Sequence, residues 1–331
     1  MLDQTAWSSF FYTDLISADC YTSIPIGKVA IMTINFRPGT MEDSQAVFQI
    51  FTKALMDLGA RTNVMPITGG NDPQVLESLW QRRRSMFEFL AREAFQFWVA
   101  ERDGEPVGYA RSIQFDGLQE LTEFFVSPDQ QSSGIGSELL SRAFPDGDAH
   151  YRTIVATLDE RALYRYLKAG VYARFPIKYF YRQAEKVEVT SDLQFEVMDQ
   201  ENHLEAINRI DKQILGHVRE TLHRWIATTR FGLVYRRKGE VVGYGYLSDT
   251  GCGPFALRDE EDFPAVLAHA ESLMAERGGE FGVETPLINR KAIEYFTGRR
   301  YRMDAFTVLF MSNEPFGRFE NYLCFSPIFF M

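Results

Sequence analysis

Cysteine is scarce: Cys20, Cys252 and Cys324 are the three in 331 residues, far apart and with no CxxC or histidine-rich spacing beside them. That excludes a disulfide framework and offers no zinc-ligand pattern, so no metal is expected and a reducing cytoplasm fits. Positive charge is short as well, since 35 Lys and Arg stand against 45 Asp and Glu, a formal net charge of −10. A surface of that sign repels a phosphate backbone, so nucleic acid is not an expected partner, whereas small neutral or cationic molecules are. No apolar run reaches the roughly 18 residues of a membrane span, and no membrane partner is expected. The opening "MLDQTAWSSFFYTDLISADCYTSIPIGKVA" has neither a basic leader nor a continuous apolar stretch, so residues 1–31 read as an extension ahead of the first folded unit.

What the chain does have is a repeat. "FWVAERDGEPVGYARS" (97–112) matches "FGLVYRRKGEVVGYGY" (231–246), each a strand, a turn at Asp103-Gly104 or Lys238-Gly239, and a second strand. Downstream, "IVATLDERALYRYLKAGVY" (154–172) parallels "GVETPLINRKAIEYFTGRRY" (282–301), with Asp159 matching Asn289 at an offset of 130 and each able to cap a helix. Upstream, residues 36–55 and 195–215 each run from a strand into an amphipathic helix. The polar stretch "EKVEVTSDLQ" (185–194) separates the copies. The fold expected is therefore α/β of the α+β kind, with two domains at 32–190 and 191–331, each a mixed, largely antiparallel sheet flanked by helices. A hydrophobic content of 45% suffices for two cores.

In the first copy the long strand "LQELTEFFV" (118–126) leads through Pro128 into "QQSSGIG" (130–136) at the start of a helix. Gly134 and Gly136 remove side chains where backbone N–H groups can face an oxyanion, and a helix N-terminus adds partial positive charge. A pyrophosphate suits such a turn. A P-loop is excluded because Ser137-Glu138 follows Gly136 in place of Lys-Ser/Thr, and the Rossmann GxGxxG is absent.

The pattern V-x-P-x-x-Q-x-x-G-I-G-S-x-L-L, with "LDERALYRYLKAGV" some thirty positions later, resembles the GNAT acetyltransferase family over nearly all of residues 32–190 and more weakly over 195–313. The resemblance implies that Gln131, Ser132, Ser133, Gly134, Ile135, Gly136 and Ser137 hold the pyrophosphate of acetyl-CoA as co-substrate. The family's second motif, N-x-x-A-x-x-x-Y-x-x-x-G-F, stands here as Asp159, Ala162, Tyr166, Gly170 and Val171. Asp159 accepts hydrogen bonds but donates none when ionised, which sets its contact with the co-substrate apart from the family's Asn. Tyr166 is implied as general acid to the leaving thiolate, a reasonable pairing because a phenol is less acidic than a thiol. Backbone N–H groups near Phe125 and Val126 are implied to polarise the thioester carbonyl. For the base, Glu120 and Glu123 lie on the same strand, and strict alternation sends them to opposite faces, with Glu120 on that of Val126. Of the two, Glu120 is preferred and Glu123 is second, and the alternative that both are sheet-surface charges with a water chain as the base stands at least level with them.

At the offset of 130 the second copy reads "EEDFPAV" (260–266) in place of "QQSSGIG": both glycines are gone, Pro264 removes an N–H, and Glu260, Glu261 and Asp262 bring negative charge. Tyr166 becomes Phe296, and Gly170 becomes Arg300. The second copy is thus expected to have lost the site, serving structure or the acceptor cleft. Its tail "FENYLCFSPIFFM" is expected to pack on a domain or on a second copy in a homodimer. The activity implied is transfer of an acetyl group from acetyl-CoA to a primary amine of a small molecule or peptide by direct attack. The alternative is a CoA-binding regulatory or structural protein without turnover.

Overall fold

The structure, a computed structural model, describes residues 34–64, 72–131, 134–147 and 149–328. Residues 1–31, the glycine pair Gly69-Gly70, and Ser132 and Ser133 lie outside them. The first half runs β1 (Ile34–Pro38), α1 (Ser44–Thr62), α2 (Pro73–Arg92), β2 (Ala94–Arg102), β3 (Glu105–Phe115), β4 (Leu118–Val126), α3 (Ile135–Ala143), β5 (Tyr151–Thr157), α4 (Glu160–Lys168) and β6 (Tyr172–Gln183). The second repeats it: β7 (Gln194–Val197), α5 (Gln200–Ile214), α6 (Glu220–Thr229), β8 (Phe231–Arg237), β9 (Glu240–Leu247), β10 (Phe255–Leu257), α7 (Phe263–Glu276), β11 (Glu280–Pro286), α8 (Arg290–Gly298), β12 (Arg302–Ser312), then a short β13 (Tyr322–Leu323).

Local chemistry accounts for the repeated parts. Asp103 and Gly104 have φ of 53° and 85°, and Lys238 and Gly239 have 51° and 84°. Two consecutive positive φ values are what a tight hairpin between right-twisted strands demands. The Asp159 carboxylate accepts from the Arg161 N–H and caps α4, and the Asn289 amide oxygen accepts from the Ala292 N–H and caps α8. Both halves are therefore built alike at the positions the repeat identifies.

The strands do not stay within their halves. One sheet has the order β1-β2-β3-β4-β5-β12-β6-β11, and the other β13-β10-β9-β8-β7. β12, from the second half, lies antiparallel between β5 and β6, while β6, from the first half, lies antiparallel between β12 and β11. Each half gives one strand to the other and receives one. The exchange merges the cores: Phe51 and Phe87 of the first half share a buried cluster with Trp225, Phe310 and Phe325 of the second. From Ile34 onward the chain forms one compact unit.

Candidate active site

β4 and β5 pair in parallel only from Leu118 against Tyr151 to Leu121 against Ile154. Beyond that they part, β4 keeping only β3 as its neighbour as far as Val126 opposite Gly108. A β-bulge marks the point of departure. Leu121 faces Ser112 and Glu123 faces Arg111, so Thr122 has no opposite number, and its hydroxyl donates to the Arg111 carbonyl at 3.0 Å. A bulge bends its strand and increases twist. Between the diverging ends lies a cavity of about 150 Å³ reached by Thr122, Phe125, Val126, Gly134, Gly136 and Tyr166.

The bulge corrects the reading of the glutamates. Inserting one residue reverses alternation, so Glu120, opposite Ile113, and Glu123, opposite Arg111, face the same side, not opposite sides. Leu121 and Phe124 instead face the α3 side, where they pack with Ile135 and Leu139. Glu123 is committed to a fully buried ion pair with the Arg111 Nε, and the Tyr109 hydroxyl donates to it at 3.0 Å. Glu120 is buried and does not line the cavity. Glu123 thus borders the cavity with its carboxylate held by a cation, while Glu120 lies buried off the cavity wall. The alternation rule failed because a bulge has no mark in this sequence.

The glycine turn divides its two glycines between two tasks. Gly134 is the N-cap of α3 with φ of +84°, in the left-handed region, and a Cβ there would meet nothing within 4 Å. Its requirement is conformational, since another residue there costs roughly 1–2 kcal/mol. A Cβ on Gly136 would sit 3.2 Å from Phe124 Cζ, so that glycine permits close packing. The Gly134 carbonyl accepts from the N–H groups of Ser137 and Glu138, which leaves the N–H groups of Ile135 and Gly136 outside the helix's own ladder. The Ile135 side chain is buried against Leu139, and Ser137 is exposed. Gln131 donates from Nε2 to the Val126 carbonyl at 3.3 Å and accepts from Arg161 at 2.5 Å.

The rim of this cavity is cationic, which motif reading missed. Arg61 from α1, with Arg161 and Arg165 from α4, line it alongside Asp159. Asp159 takes the Arg61 guanidinium at 2.7 Å and that of Arg161 at 3.0 Å. Burial alone would raise its pKa, but those hydrogen bonds hold the carboxyl well below the usual range. Asp159 is thus a helix cap and an arginine clamp. Tyr166 is 6% exposed, lies edge-on to Phe124 and lines the cavity. Burial, with the Asp159 charge in support and Arg165 opposing, pushes its phenol well above the ordinary value, so it keeps its proton at neutral pH.

At the equivalent place in the second half the gap is filled. β13 pairs with β10, and the neighbouring Cys324 bridges to Glu284 on β11, so the carboxyl-terminal tail sits where the first half keeps its cleft. Tyr322, Leu323, Cys324 and Phe325 are buried. The aromatic tail as far as Phe325 therefore packs within the chain. Phe296, the counterpart of Tyr166, stacks on Phe180 at 5.1 Å. The acidic run is paired as well, Asp262 with Arg237 and Glu261 with Lys291, both at 2.7 Å.

Comparison with known proteins agrees with this geometry. Residues 93–175 match the family model described as an acetyltransferase (GNAT) domain. A protein from Pyrococcus horikoshii assigned as an acetyltransferase has 17% identity and a TM-score of 0.66, over 87% of this chain and 92% of its own. A GCN5-related N-acetyltransferase from Sphaerobacter thermophilus gives 12% and 0.56, over 84% and 95%. A tandem GNAT protein from the clavulanic acid biosynthesis pathway gives 12% and 0.56, over 86% and 99%. At such identities the likeness establishes fold. No curated protein matches the chain. The chain has a tandem GNAT fold, and residues 93–175 within its first half match the GNAT acetyltransferase domain model. Among the described residues no helix is long and apolar enough to cross a membrane.

Proposed function

We propose that residues 32–190 bind acetyl-CoA and transfer its acetyl group to a primary amine by direct attack, while residues 191–331 form a degenerate GNAT-like partner. The observation that carries this reading is the open β4–β5 splay leading to a left-handed glycine turn beneath a rim of three arginines. The N–H groups of Ile135 and Gly136, with Gln131 and the α3 N-terminus, suit a pyrophosphate, and Arg61, Arg161 and Arg165 add the opposite charge. Main-chain N–H groups near Phe125 and Val126, freed from a β5 partner, polarise the thioester carbonyl. Tyr166, its proton secured by burial, gives it to the departing thiolate sulfur.

Calorimetric titration of the full chain with acetyl-CoA tests this. One site per chain is expected, lost in Gly134→Asp, which places a carboxylate at the turn and strains its backbone. A second site, or binding that survives the substitution, overturns the assignment of the turn. Tight binding without thiol release from any amine favours the reading of a CoA-responsive protein without turnover.

A further inference from the structure

A second cavity, of about 550 Å³, adjoins the first and shares Leu55, Thr122, Phe125, Val155 and Thr157 with it. Both halves wall it. The first half gives Phe51, Met86 and Phe125, and the second gives Trp225, Phe306 and Phe325. Its wall therefore carries a strongly aromatic, apolar lining. Two carboxylates stand in it, Glu284 on β11 and Asp304 on β12.

Their placement follows from the exchanged strands. β12 has a register break between Met303 and Thr307 against β6, and such a bulge re-aims side chains, here bringing Asp304 and Phe306 to the cavity. Glu284 stands opposite Tyr179, which also lines the cavity. The Glu284 carbonyl is taken by the Cys324 N–H at 2.9 Å. The cation nearest in sequence to Tyr179, Lys178, is engaged with the Ala305 carbonyl at 3.1 Å and the Thr307 hydroxyl at 2.9 Å. Arg230, also at the cavity, is bound to the Gly253 and Ser326 carbonyls and lies over the Phe325 ring.

We propose that Glu284, with Asp304 beside it, forms the ammonium-binding end of an acceptor pocket for a monoamine with an aromatic, apolar body, and that Glu284 accepts the amine's proton. The proposal rests on the acetyl-transfer reading above. In the transfer, Glu284 takes one of the three ammonium protons and later yields it to solvent. The freed nitrogen lone pair bonds to the thioester carbonyl carbon, and the carbon–sulfur bond breaks. The sulfur takes a proton from Tyr166, which regains one from the nitrogen, and the third stays on the amide. Polyamines are disfavoured because α2 places Arg82 and Arg83 at the same cavity, where a further ammonium meets like charge.

Charge supports the geometry. Burial and the Asp304 carboxylate, with Lys178 opposing, push Glu284 up to about 8. The groups around it also include Tyr179 and Arg230, with Cys252 close to both and Cys324 beside Glu284. At pH 7 Glu284 is therefore largely protonated, and an arriving ammonium displaces that proton.

The probe is 2-phenylethylamine, titrated at pH 7 into the full chain saturated with CoA, in two buffers of different ionisation enthalpy. Expected is binding with release of nearly one proton, absent in Glu284→Gln, with acetyl-CoA affinity unchanged in that variant. Where thiol release is seen, kcat/KM with this amine falls on the order of 10²-fold or more in Glu284→Gln, and its rising limb near pH 8 disappears. Absence of amine binding, binding without proton release in the native chain, or preference for spermidine overturns the proposal. Amine binding with proton release but no thiol release leaves the pocket standing and removes the acetyl-transfer reading instead.

Discussion

The two halves begin from the same scaffold and end with opposite uses of one gap. In the first, β4 and β5 part after four paired residues and leave a cleft. In the second, the same divergence is occupied by the chain's own tail, with Leu323 opposite Phe255 and Cys324 bridged to Glu284. A strand pair that separates exposes backbone polar groups, which need partners. The first half leaves its cleft open, and the second fills the matching gap with its own chain. The two halves therefore differ in packing as much as in motif residues.

The largest expected effect comes from disturbing the plug. Leu323 is fully buried, so Leu323→Ala removes its contacts and leaves a cavity, at a cost of about 2–5 kcal/mol in denaturant unfolding. It should create no second acetyl-CoA site, because Glu261, Asp262 and Pro264 still stand at the turn. A second site in this variant would break the comparison, by showing that the tail alone closes the cleft.

A smaller effect separates the two aromatic counterparts. Tyr166→Phe should lower kcat by roughly 10–10²-fold with acetyl-CoA affinity retained, as expected on removing a proton donor. The reverse change, Phe296→Tyr, puts a hydroxyl into the stack on Phe180 and costs about 1–3 kcal/mol of stability if it finds no partner, with no gain of activity. Parallel kinetics and thermal unfolding on both variants decide it, and an unchanged kcat in Tyr166→Phe removes that residue from the acid role.

How far the sequence carried these conclusions depends on the kind of signal. The hairpins were legible because Asp103-Gly104 and Lys238-Gly239 carry their conformation in their residue types, and the caps Asp159 and Asn289 likewise. The strand exchange was not, since β6 and β12 read as ordinary strands and pairing partners are set by tertiary packing. The bulge at Thr122 was equally silent, and it redirected the glutamate argument. Arg161 and Arg165 share a face of α4 by their four-residue spacing, but nothing in the sequence joins Arg61 of α1 to them, and topology gathers all three on one rim. Glu284 lies 164 positions beyond Glu120 and reaches the cleft region only through β11's pairing with β6.

The finest difference between the halves is a single pair at the same offset. Arg161 donates to Gln131 at 2.5 Å, and 130 positions later Lys291 pairs with Glu261 at 2.7 Å. The contact is kept, but Gln131 is neutral where Glu261 is charged. Arg161 already pairs with Asp159 at 3.0 Å, so the neutral Gln131 orients the guanidinium without a further charge, whereas a carboxylate at this position sets a second negative charge against an incoming phosphate. Gln131→Glu should therefore weaken acetyl-CoA binding about tenfold, or roughly 1.4 kcal/mol. The loss should shrink as salt rises, because rim charges are screened. Glu261→Gln should leave acetyl-CoA binding unchanged, since the tail still fills that half. Calorimetry at low and high salt separates these outcomes: an equal loss at both would mean that Gln131 acts through geometry, and that charge is not what distinguishes the two turns.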